Sequence, residues 1–143
     1  MTIAVEKVLY TARATAEGGR DGHTATDDGK LDVTVAPPKE MGGTGEGTNP
    51  EQLFAAGFAS CFHSALKVVA RKARQDSDGS TVTAVVGIGP INGGAGYGLE
   101  VALEASLPGV ERAVAEELVA KAHEVCPYSN ATRGNIKFTL TVV

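Results

Sequence analysis

The sequence predicts an α+β fold with the element order βββ-α-ββ-α-β, because two helical segments lie among shorter segments of strand type. The first helical segment begins near Asn49 and is apolar on nearly every side, and the second follows residue 107. Segments in which apolar and polar residues alternate precede, separate and follow the two helices. At 143 residues the chain has the size of one domain, so a single domain over residues 1–143 is expected.

Three strands are expected before the first helix. Residues 3–16 alternate loosely, which predicts the first strand. After the turn GGRDG at 18–22, the tripeptide DDG separates a hairpin-like pair of segments, 23–26 and 31–36. The segment PPKEMGGTGEG at 37–47 is dense in Pro and Gly, so a loop is expected between the third strand and the helix.

The first helix is predicted from Asn49, a good N-cap that precedes Pro50, to about Arg74. Its length would be about 37 Å. Because it is apolar on nearly every side between Leu53 and Ala70, it is expected to be buried all round. One sheet of a chain this size cannot cover a helix on all faces, so a second copy of the chain is expected to cover the rest.

The remaining elements are two strands, a helix and a last strand. The strands are expected at 81–89 and 97–107, joined by the turn PINGGAG. The apolar residues of LPGVERAVAEELVAKAHEVC keep helical spacing, and Pro127 is expected to stop that helix. Residues 136–143 alternate cleanly and predict the final strand.

Composition argues against two classes of protein. The net charge is −4 and no run of basic residues occurs, which disfavours a nucleic-acid binder. The N-terminal residues lack the features of a signal peptide, and Leu53–Val69 is interrupted by polar residues, so that segment is expected to be too short and too polar to span a membrane. A cytoplasmic location is therefore expected, where a cysteine pair is more typical of catalysis, redox chemistry or metal binding than of a structural bridge.

The chain has two cysteines, Cys61 and Cys126. Cys61 lies in the apolar middle of the first helix and leans over Gly57, which costs about 1 kcal/mol there relative to Ala. Either another backbone packs close to Gly57 or the space admits a small ligand beside the sulfur. Spacing alone favours a packing role for Cys61. Cys126 closes the second helix, whose negative end disfavours a thiolate, so if one cysteine is the attacking thiol it should be Cys61, with Cys126 as the resolving thiol.

The charged candidates and the histidines have ordinary interpretations. Arg20 lies in a glycine-rich turn, where an arginine is usually only solvated, and Glu51 suits the first turn of a helix without any catalytic role. His63 lies on nearly the opposite side of the helix from Cys61, so it cannot act as its base. His123 lies three residues before Cys126, so a Cys–His pair is geometrically feasible there. Widely separated cysteines and scattered histidines do not form a zinc site.

Five segments carry a resemblance to a known family over essentially the whole chain: EKVLYTA, GGRDG, GTNPEQLFAAGFASCF, VGIG and KAHEVCPYSNATRGN. The chain resembles the organic hydroperoxide resistance proteins, the Ohr branch of the bacterial OsmC/Ohr family. The resemblance implies an OsmC-like fold, with curved antiparallel sheets around long buried central helices in an intertwined homodimer.

The resemblance also implies a thiol peroxidase that reduces alkyl and fatty-acid hydroperoxides to alcohols without haem, flavin or metal. Cys61 would attack the peroxide as a thiolate and become a sulfenic acid, with which Cys126 would condense to a disulfide. A dithiol, namely lipoyl groups on proteins or dihydrolipoamide, would reduce that disulfide. Arg20 and Glu51 match the activating pair of the family, a cation that favours the thiolate and a carboxylate that holds the cation.

An apolar funnel to the thiol is expected for substrates with a greasy tail, whereas hydrogen peroxide has no tail to bind. The candidate residues are Met41, Phe54, Gly57, Phe58 and Phe62. The alternative for the phenylalanines is an ordinary place in the core.

Glu51 and Cys61 are ten residues apart, which in a straight helix separates them by about 15 Å along the axis and about 80° around it. Glu51 then cannot organise Cys61 of its own chain directly. Either the helix starts late and the chain folds back, or Arg20 and Glu51 act on Cys61 of the other subunit. The second alternative is favoured, and it predicts composite sites at an obligate dimer interface.

Three other functions remain open. A cysteine hydrolase would use Cys126 and His123 and would not depend on Cys61. A redox sensor or lipid-binding module would react slowly with peroxide and switch a partner, although the sequence shows no partner-binding tail. The OsmC branch shares the chemistry with a different breadth of substrate, but GGRDG and CPYSNATRGN favour Ohr.

Overall fold

The computed structural model describes residues 2–143. Contacts between residues group the chain into two compact units, one up to Pro50 and one from Glu51 to Val143. Together they contain two three-stranded sheets and three α-helices, so the predicted α+β class is confirmed. The single domain over residues 1–143 stays a prediction.

The first unit holds an antiparallel sheet in the order β1-β2-β3. Its strands are β1 (Ala14–Glu17), β2 (Gly22–Thr26) and β3 (Asp32–Val35). The turn between β1 and β2 needs Gly18 and Gly19, whose φ angles are 80° and 60°. A short 3₁₀ helix, Lys39–Met41, follows β3 in the predicted loop.

The strand predicted over residues 3–16 is wrong for most of its length, because only its end is strand. A strand needs a neighbour for its backbone groups, and within residues 2–143 no strand pairs with the part before Ala14. That part carries apolar side chains that are largely exposed: Ile3, Val5, Val8, Leu9 and Tyr10. The alternation therefore marks a surface that this chain leaves uncovered.

Helix α1 (Pro50–Lys72) belongs to the second unit from its second residue onwards, and it starts where Asn49 and Pro50 predicted it. The helix ends at Lys72, two residues before the expected boundary at Arg74, which has a φ of 57°. One face of α1 forms much of the core through Phe58, Phe62, Ala65, Leu66, Val69 and Ala70. The expected burial on all faces is wrong for the single chain, because a stripe remains exposed: Gln52, Ala56, Ser60, Ser64, Lys67 and Arg71.

The segment was expected to be too short and too polar to span a membrane, but the length and composition of α1 are sufficient for a span. Helix α1 has 23 residues, and the mean hydropathy of its most apolar window is 1.5. The core helix of a globular protein satisfies the same criteria, and α1 contributes six residues to the buried core.

The second sheet has the order β4-β5-β6, with β4 (Thr81–Ile91), β5 (Gly96–Ser106) and β6 (Phe138–Val142). Strands β4 and β5 form the predicted glycine-turned hairpin. The expectation of antiparallel sheets is wrong for β5 and β6, which pair in parallel from Val101 opposite Phe138 onwards. Parallel neighbours need a crossover connection, and the helices between these two strands supply it.

Two helices form this crossover, α2 (Arg112–Val125) and α3 (Pro127–Thr132). Pro127 does stop α2 as predicted, but it is also the first residue of α3, which was not predicted. Cys126 lies at the junction, where its backbone N–H donates to the carbonyl of Ala122 at 2.9 Å. The core of the unit lies between α1, α2 and one face of the sheet, and it includes the buried side chain of Cys126.

Candidate active site

The two cysteines, 65 residues apart in sequence, meet in the second unit. The thiol of Cys126 donates to the sulfur of Cys61, with the two Sγ atoms 3.5 Å apart. Both cysteines are free thiols. A disulfide bond is about 2.05 Å long, so the two sulfurs need to approach each other by only about 1.5 Å to form one.

The two thiols differ in exposure. Cys61 is half-buried on α1, whereas Cys126 is fully buried between α2 and α3. Part of the surface of Cys61 is therefore open to solvent in this chain, whereas Cys126 has none. This arrangement suits an attacking thiol and a resolving thiol.

Burial raises the pKa of Cys61 above its ordinary value of 9.0. A hydrogen bond from the backbone of Tyr128 lowers this pKa, and the neighbouring thiol of Cys126 raises it further. Within residues 51–143 no positively charged side chain contributes to the shift. A thiolate at Cys61 near neutral pH therefore requires a cation from outside this unit.

Gly57 is explained by a side chain, and not by the close backbone or the space for a ligand that the sequence suggested. A Cβ atom at Gly57 would lie 2.9 Å from the hydroxyl oxygen of Tyr128 and 3.2 Å from its Cε2. The ring of Tyr128 also packs against Phe54 and Phe58, with centroid distances of 5.9 and 5.5 Å. Because Tyr128 is two residues from Cys126, its packing on α1 holds Cys126 beside Cys61.

The phenylalanines of the expected funnel divide into two groups. Phe58 and Phe62 are fully buried in the core, as the alternative interpretation held. Phe54 is partly buried and lines an open groove of about 860 Å³. The other walls of this groove come from the β4–β5 hairpin and from residues 132–137. Of the three, Phe54 is therefore the one that a bound molecule can contact.

The remaining predicted site residues lie at or before the start of α1. Arg20 is exposed in the turn between β1 and β2, and Met41 is 45% exposed at the end of the 3₁₀ helix. Glu51 lies half-buried in the first turn of α1. Because α1 is one continuous helix from Pro50 to Lys72, the late helix start that would have brought Glu51 near Cys61 does not occur.

The histidines do not pair with the cysteines. His63 bonds the hydroxyl of Ser80 at 2.9 Å, and His23 pairs with Asp32. The ring of His123 accepts a hydrogen bond from Arg133 and stacks on Phe138, with centroids 4.8 Å apart. The sulfur of Cys126 bonds that of Cys61, and Nε2 of His123 accepts from Arg133, so the Cys–His pair of a hydrolase is not formed. Among residues 2–143 no group of three or more His, Cys, Asp or Glu side chains is placed to hold a metal ion.

Two neighbours of the thiols were missed by sequence reasoning, Tyr128 and Ser129. Both lie on α3, and Pro127 at a helix N1 position was the signal that could have revealed that helix. The partnership of Tyr128 with Gly57 had no such signal, because it joins residues from two separate helices.

Comparison with known proteins gives consistent matches over the chain. The family described as OsmC-like protein matches residues 43–141. The organic hydroperoxide resistance protein of Xanthomonas axonopodis pv. citri (strain 306) is 53% identical over 139 residues, which cover 96% of each chain. The organic hydroperoxide resistance protein OhrB of Bacillus subtilis (strain 168) is 44% identical over 132 residues, covering 92% of this chain and 96% of the relative.

Solved structures agree with these matches. The organic hydroperoxide resistance protein of Elizabethkingia anophelis, crystallised with thiocyanate bound, superposes with a TM-score of 0.90 at 55% identity over 95% of this chain and 97% of that one. The crystal structure of OhrB of Bacillus subtilis gives a TM-score of 0.84 at 43% identity, over 95% of this chain and all of that one.

The fold and the sequence matches thus define a protein of the OsmC-like class. The chain belongs to the OsmC/Ohr family, as its motifs indicated. Its similarity to bacterial organic hydroperoxide resistance proteins supports a part in organic hydroperoxide resistance and peroxide detoxification.

Proposed function

We propose that this protein is a cysteine-based thiol peroxidase that reduces organic hydroperoxides to alcohols in the bacterial cytoplasm. The observation that carries the proposal is the 3.5 Å separation of the two sulfurs, with Cys61 half-buried and Cys126 fully buried. Membership of a family whose relatives are named for organic hydroperoxide resistance supports the choice of substrate class.

The chemistry has two oxidative steps. The thiolate of Cys61 attacks the peroxide, the O–O bond breaks, and the leaving alkoxide takes up a proton to become the alcohol, which leaves a sulfenic acid on Cys61. Cys126 then loses its proton and attacks the sulfur of Cys61. The S–O bond breaks as the S–S bond forms, and hydroxide leaves with that proton as water.

A dithiol of the lipoyl type completes the cycle. One of its thiolates attacks the Cys61–Cys126 disulfide, and its second thiol resolves the mixed disulfide, so that both cysteines return to the thiol form and the reductant becomes a cyclic disulfide. Dihydrolipoamide or lipoyl groups on a protein would serve, and the cycle needs no metal or other cofactor.

The activating pair is Arg20 with Glu51, and we place it on Cys61 of the other subunit of a homodimer. Three observations support this. Burial raises the pKa of Cys61 with no cation from residues 51–143 to offset it, α1 separates Glu51 from Cys61 of its own chain by about 15 Å along the axis, and apolar side chains of residues 3–10 are exposed.

The alkyl part of the substrate would lie against apolar surface near the thiol. The groove beside Phe54 is large enough for a hydrocarbon tail, and Met41 is an exposed apolar side chain that a dimer can bring to the site. Phe58 and Phe62 support this surface from the core, and Gly57 admits the Tyr128 ring that packs against Phe54. Hydrogen peroxide lacks a tail and gains nothing from such a surface.

The proposal is tested by stopped-flow consumption of cumene hydroperoxide and of hydrogen peroxide, with dihydrolipoamide as reductant. Wild type is expected to consume the organic peroxide at least about a hundredfold faster, by the binding energy of its tail. Cys61→Ser and Cys126→Ser are each expected to abolish turnover. Equal slow rates for both peroxides in all three proteins would contradict the peroxidase function and favour a sensor or binding module.

A further inference from the structure

Two buried side-chain polar atoms lack a hydrogen-bond partner among the residues that the structure describes: Nδ1 of His123 and Oγ of Ser129. They lie three residues before and three residues after Cys126. A buried polar atom without a partner costs about 1–3 kcal/mol, so such atoms are rare and need an explanation. Both flank the thiol that must change its charge during the proposed cycle.

The two atoms are not equivalent. The imidazole of His123 already has a partner, because its Nε2 accepts from Arg133 at 3.3 Å. The hydroxyl of Ser129 is the only polar group of its side chain, and the residue is 0% exposed. Ser129 is therefore the side chain whose hydrogen-bonding capacity is left entirely unused by the other residues between 2 and 143.

The hydroxyl of a serine in a helix ordinarily donates a hydrogen bond to the backbone carbonyl three or four residues earlier. Thr132, in the same helix, does so, because its Oγ1 donates to the carbonyl of Tyr128 at 2.8 Å. Ser129 does not, although its side chain is fully buried. The local structure thus leaves the hydroxyl of Ser129 available to another acceptor.

The candidate acceptor is the sulfur of Cys126, to which the hydroxyl of Ser129 is not bonded in the dithiol form. Cys126 is the N-cap of α3 and Ser129 is its third helical residue. In a capping box the side chains at these two positions each bond the backbone N–H of the other residue, so groups at the two positions lie within one turn of the chain. Both side chains are fully buried, so the two groups share one enclosed turn of the chain.

We propose that Ser129 donates a hydrogen bond to the sulfur of Cys126 whenever that sulfur carries a negative charge. This inference rests on the proposed peroxidase function. A neutral thiol is a weak acceptor, whereas a hydrogen bond to an anion is roughly twice as strong as one between neutral groups. In the dithiol form the thiol of Cys126 instead donates to Cys61, and the hydroxyl of Ser129 has no hydrogen-bond partner among residues 2–143.

The donor serves both halves of the cycle. In the oxidative half, Cys126 loses its proton and attacks the sulfenic sulfur of Cys61, while the departing hydroxide becomes water. In the reductive half, a dithiol attacks Cys61, the S–S bond breaks, and Cys126 leaves as a thiolate. An anion on a fully buried sulfur is unfavourable without a hydrogen bond, so the donor lowers the barrier to each step.

The test is a single-turnover experiment on wild type, Ser129→Ala and a matched control, Ser80→Ala, which removes a buried hydroxyl far from Cys126 in sequence. Each reduced protein receives one equivalent of cumene hydroperoxide. Sulfenic acid on Cys61 is followed by dimedone trapping and disulfide formation by intact mass, from pH 6 to pH 9. Thermal unfolding is measured on the same proteins.

Ser129→Ala is expected to form sulfenic acid at the wild-type rate but to form the disulfide about tenfold more slowly at pH 7, with its rate profile displaced to higher pH. Its melting temperature should be unchanged or higher, because the change removes an unpartnered buried hydroxyl. Ser80→Ala loses a buried hydroxyl that bonds His63 at 2.9 Å, so it should melt at lower temperature and form the disulfide within twofold of the wild-type rate.

A wild-type rate and pH profile of disulfide formation in Ser129→Ala would overturn the inference and leave the peroxidase function intact. Slower disulfide formation together with a lower melting temperature in Ser129→Ala would also overturn it, because that pair of results indicates a packing role. If Cys61 forms no sulfenic acid in wild type, the proposed function itself fails, and the inference fails with it.

Discussion

The distance between the two cysteine sulfurs depends on a close contact between Tyr128 and Gly57. Tyr128 rests where the Cβ of residue 57 would be, and this contact positions α3 so that the sulfurs of Cys126 and Cys61 lie 3.5 Å apart. A glycine in the middle of a helix costs about 1 kcal/mol relative to alanine. Close approach of Tyr128 to the helix accounts for that cost without any ligand.

Gly57→Ala should therefore slow disulfide formation severalfold while leaving the first oxidation of Cys61 intact. The new methyl group would lie 2.9 Å from the hydroxyl oxygen of Tyr128, which must move and take Cys126 with it. The gain in helix propensity of about 1 kcal/mol offsets part of the clash, so stability should change little. Disulfide formation after one equivalent of peroxide measures the effect.

The double variant Gly57→Ala with Tyr128→Leu is the control, since a smaller side chain at 128 relieves the clash. Its disulfide rate should exceed that of Gly57→Ala. A wild-type rate in Gly57→Ala alone would show that the contact does not position Cys126.

Arg20→Met should move the pH dependence of the first oxidation to alkaline values. Burial raises the pKa of Cys61 above 9.0, so without a cation fewer than about one thiol in a hundred is ionised at pH 7. The rate constant with cumene hydroperoxide at pH 7 should fall about a hundredfold and recover as the pH rises beyond 9. Stopped-flow kinetics from pH 6 to pH 10 measure this.

Arg13→Met is the matched control, because Arg13 is a largely exposed arginine of the same unit that pairs with Asp27 at 3.7 Å. It should keep the wild-type profile. Arg20→Met with an unchanged pH profile would remove Arg20 from the activating role.

At the scale of elements, Arg133 ties the end of α3 back to α2. Its guanidinium donates to Nε2 of His123 at 3.3 Å, to the carbonyl of His123, and to Oδ1 of Asn130 at 2.9 Å. Burial lowers the pKa of His123, the positive charge of Arg133 lowers it further, and Glu124 raises it. The neutral ring is thus the form that the native structure holds.

Acid should therefore weaken this link. The unfolded chain binds a proton at His123 near the ordinary pKa of 6.5, and the folded chain binds it only at lower pH. The contribution of His123 to the free energy of unfolding is therefore complete above pH 6.5 and is lost as the pH falls through the folded pKa. His123→Gln keeps an acceptor for Arg133 but does not titrate. Urea unfolding at pH 7, 6 and 5 should show a smaller loss of stability in His123→Gln than in wild type, and equal losses would contradict the account.

Much of the fold was accessible from the sequence, because caps, turns and periodicity are local signals. Asn49 and Pro50 marked the start of α1, and the glycine-rich turn marked the β4–β5 hairpin. Helix α3 was missed because Pro127 both stops one helix and starts the next. The parallel pairing of β6 with β5 was missed because it depends on where the crossover returns the chain.

Only part of the candidate site could be predicted from the sequence. The pairing of Cys61 with Cys126 came from family motifs, since spacing alone favoured a packing role for Cys61. Sequence patterns carried no sign that Tyr128 fills the space at Gly57 or that the hydroxyl of Ser129 is unpartnered. Both are properties of packing between elements, and local patterns do not record them.

At the scale of the whole molecule, the single chain leaves apolar surface uncovered. Ile3, Val5 and Leu9 are 75, 74 and 88% exposed, and they alternate as the side chains of one strand face do. A second copy of this chain would cover such surface, and the homodimer proposed above is the arrangement in which Arg20 and Glu51 can serve the partner's thiol.

A composite site predicts complementation between inactive variants. Arg20→Ala and Cys61→Ser are each expected to be inactive alone. When they are mixed, unfolded and refolded, half of the dimers are mixed and one of the two sites in each combines an intact Arg20 with an intact Cys61. Peroxidase activity should therefore return to roughly a quarter of the wild-type level.

Each variant refolded alone is the control and should stay inactive. A mixture that remains as inactive as its components would show that one chain supplies the whole site. Wild type that has been unfolded and refolded in the same way gives the reference activity, of which the mixture should regain roughly a quarter.

The central claim is that peroxide oxidises Cys61 to a sulfenic acid and that Cys126 converts this acid to a disulfide. The most direct measurement treats each protein with one equivalent of cumene hydroperoxide in the presence of dimedone and identifies the modified cysteines by peptide mass spectrometry. Wild type should yield a Cys61–Cys126 disulfide within the chain, Cys126→Ser should yield a dimedone adduct on Cys61, and Cys61→Ser should remain unmodified. An adduct on Cys126 in Cys61→Ser, or unmodified thiols in all three proteins, would contradict the account.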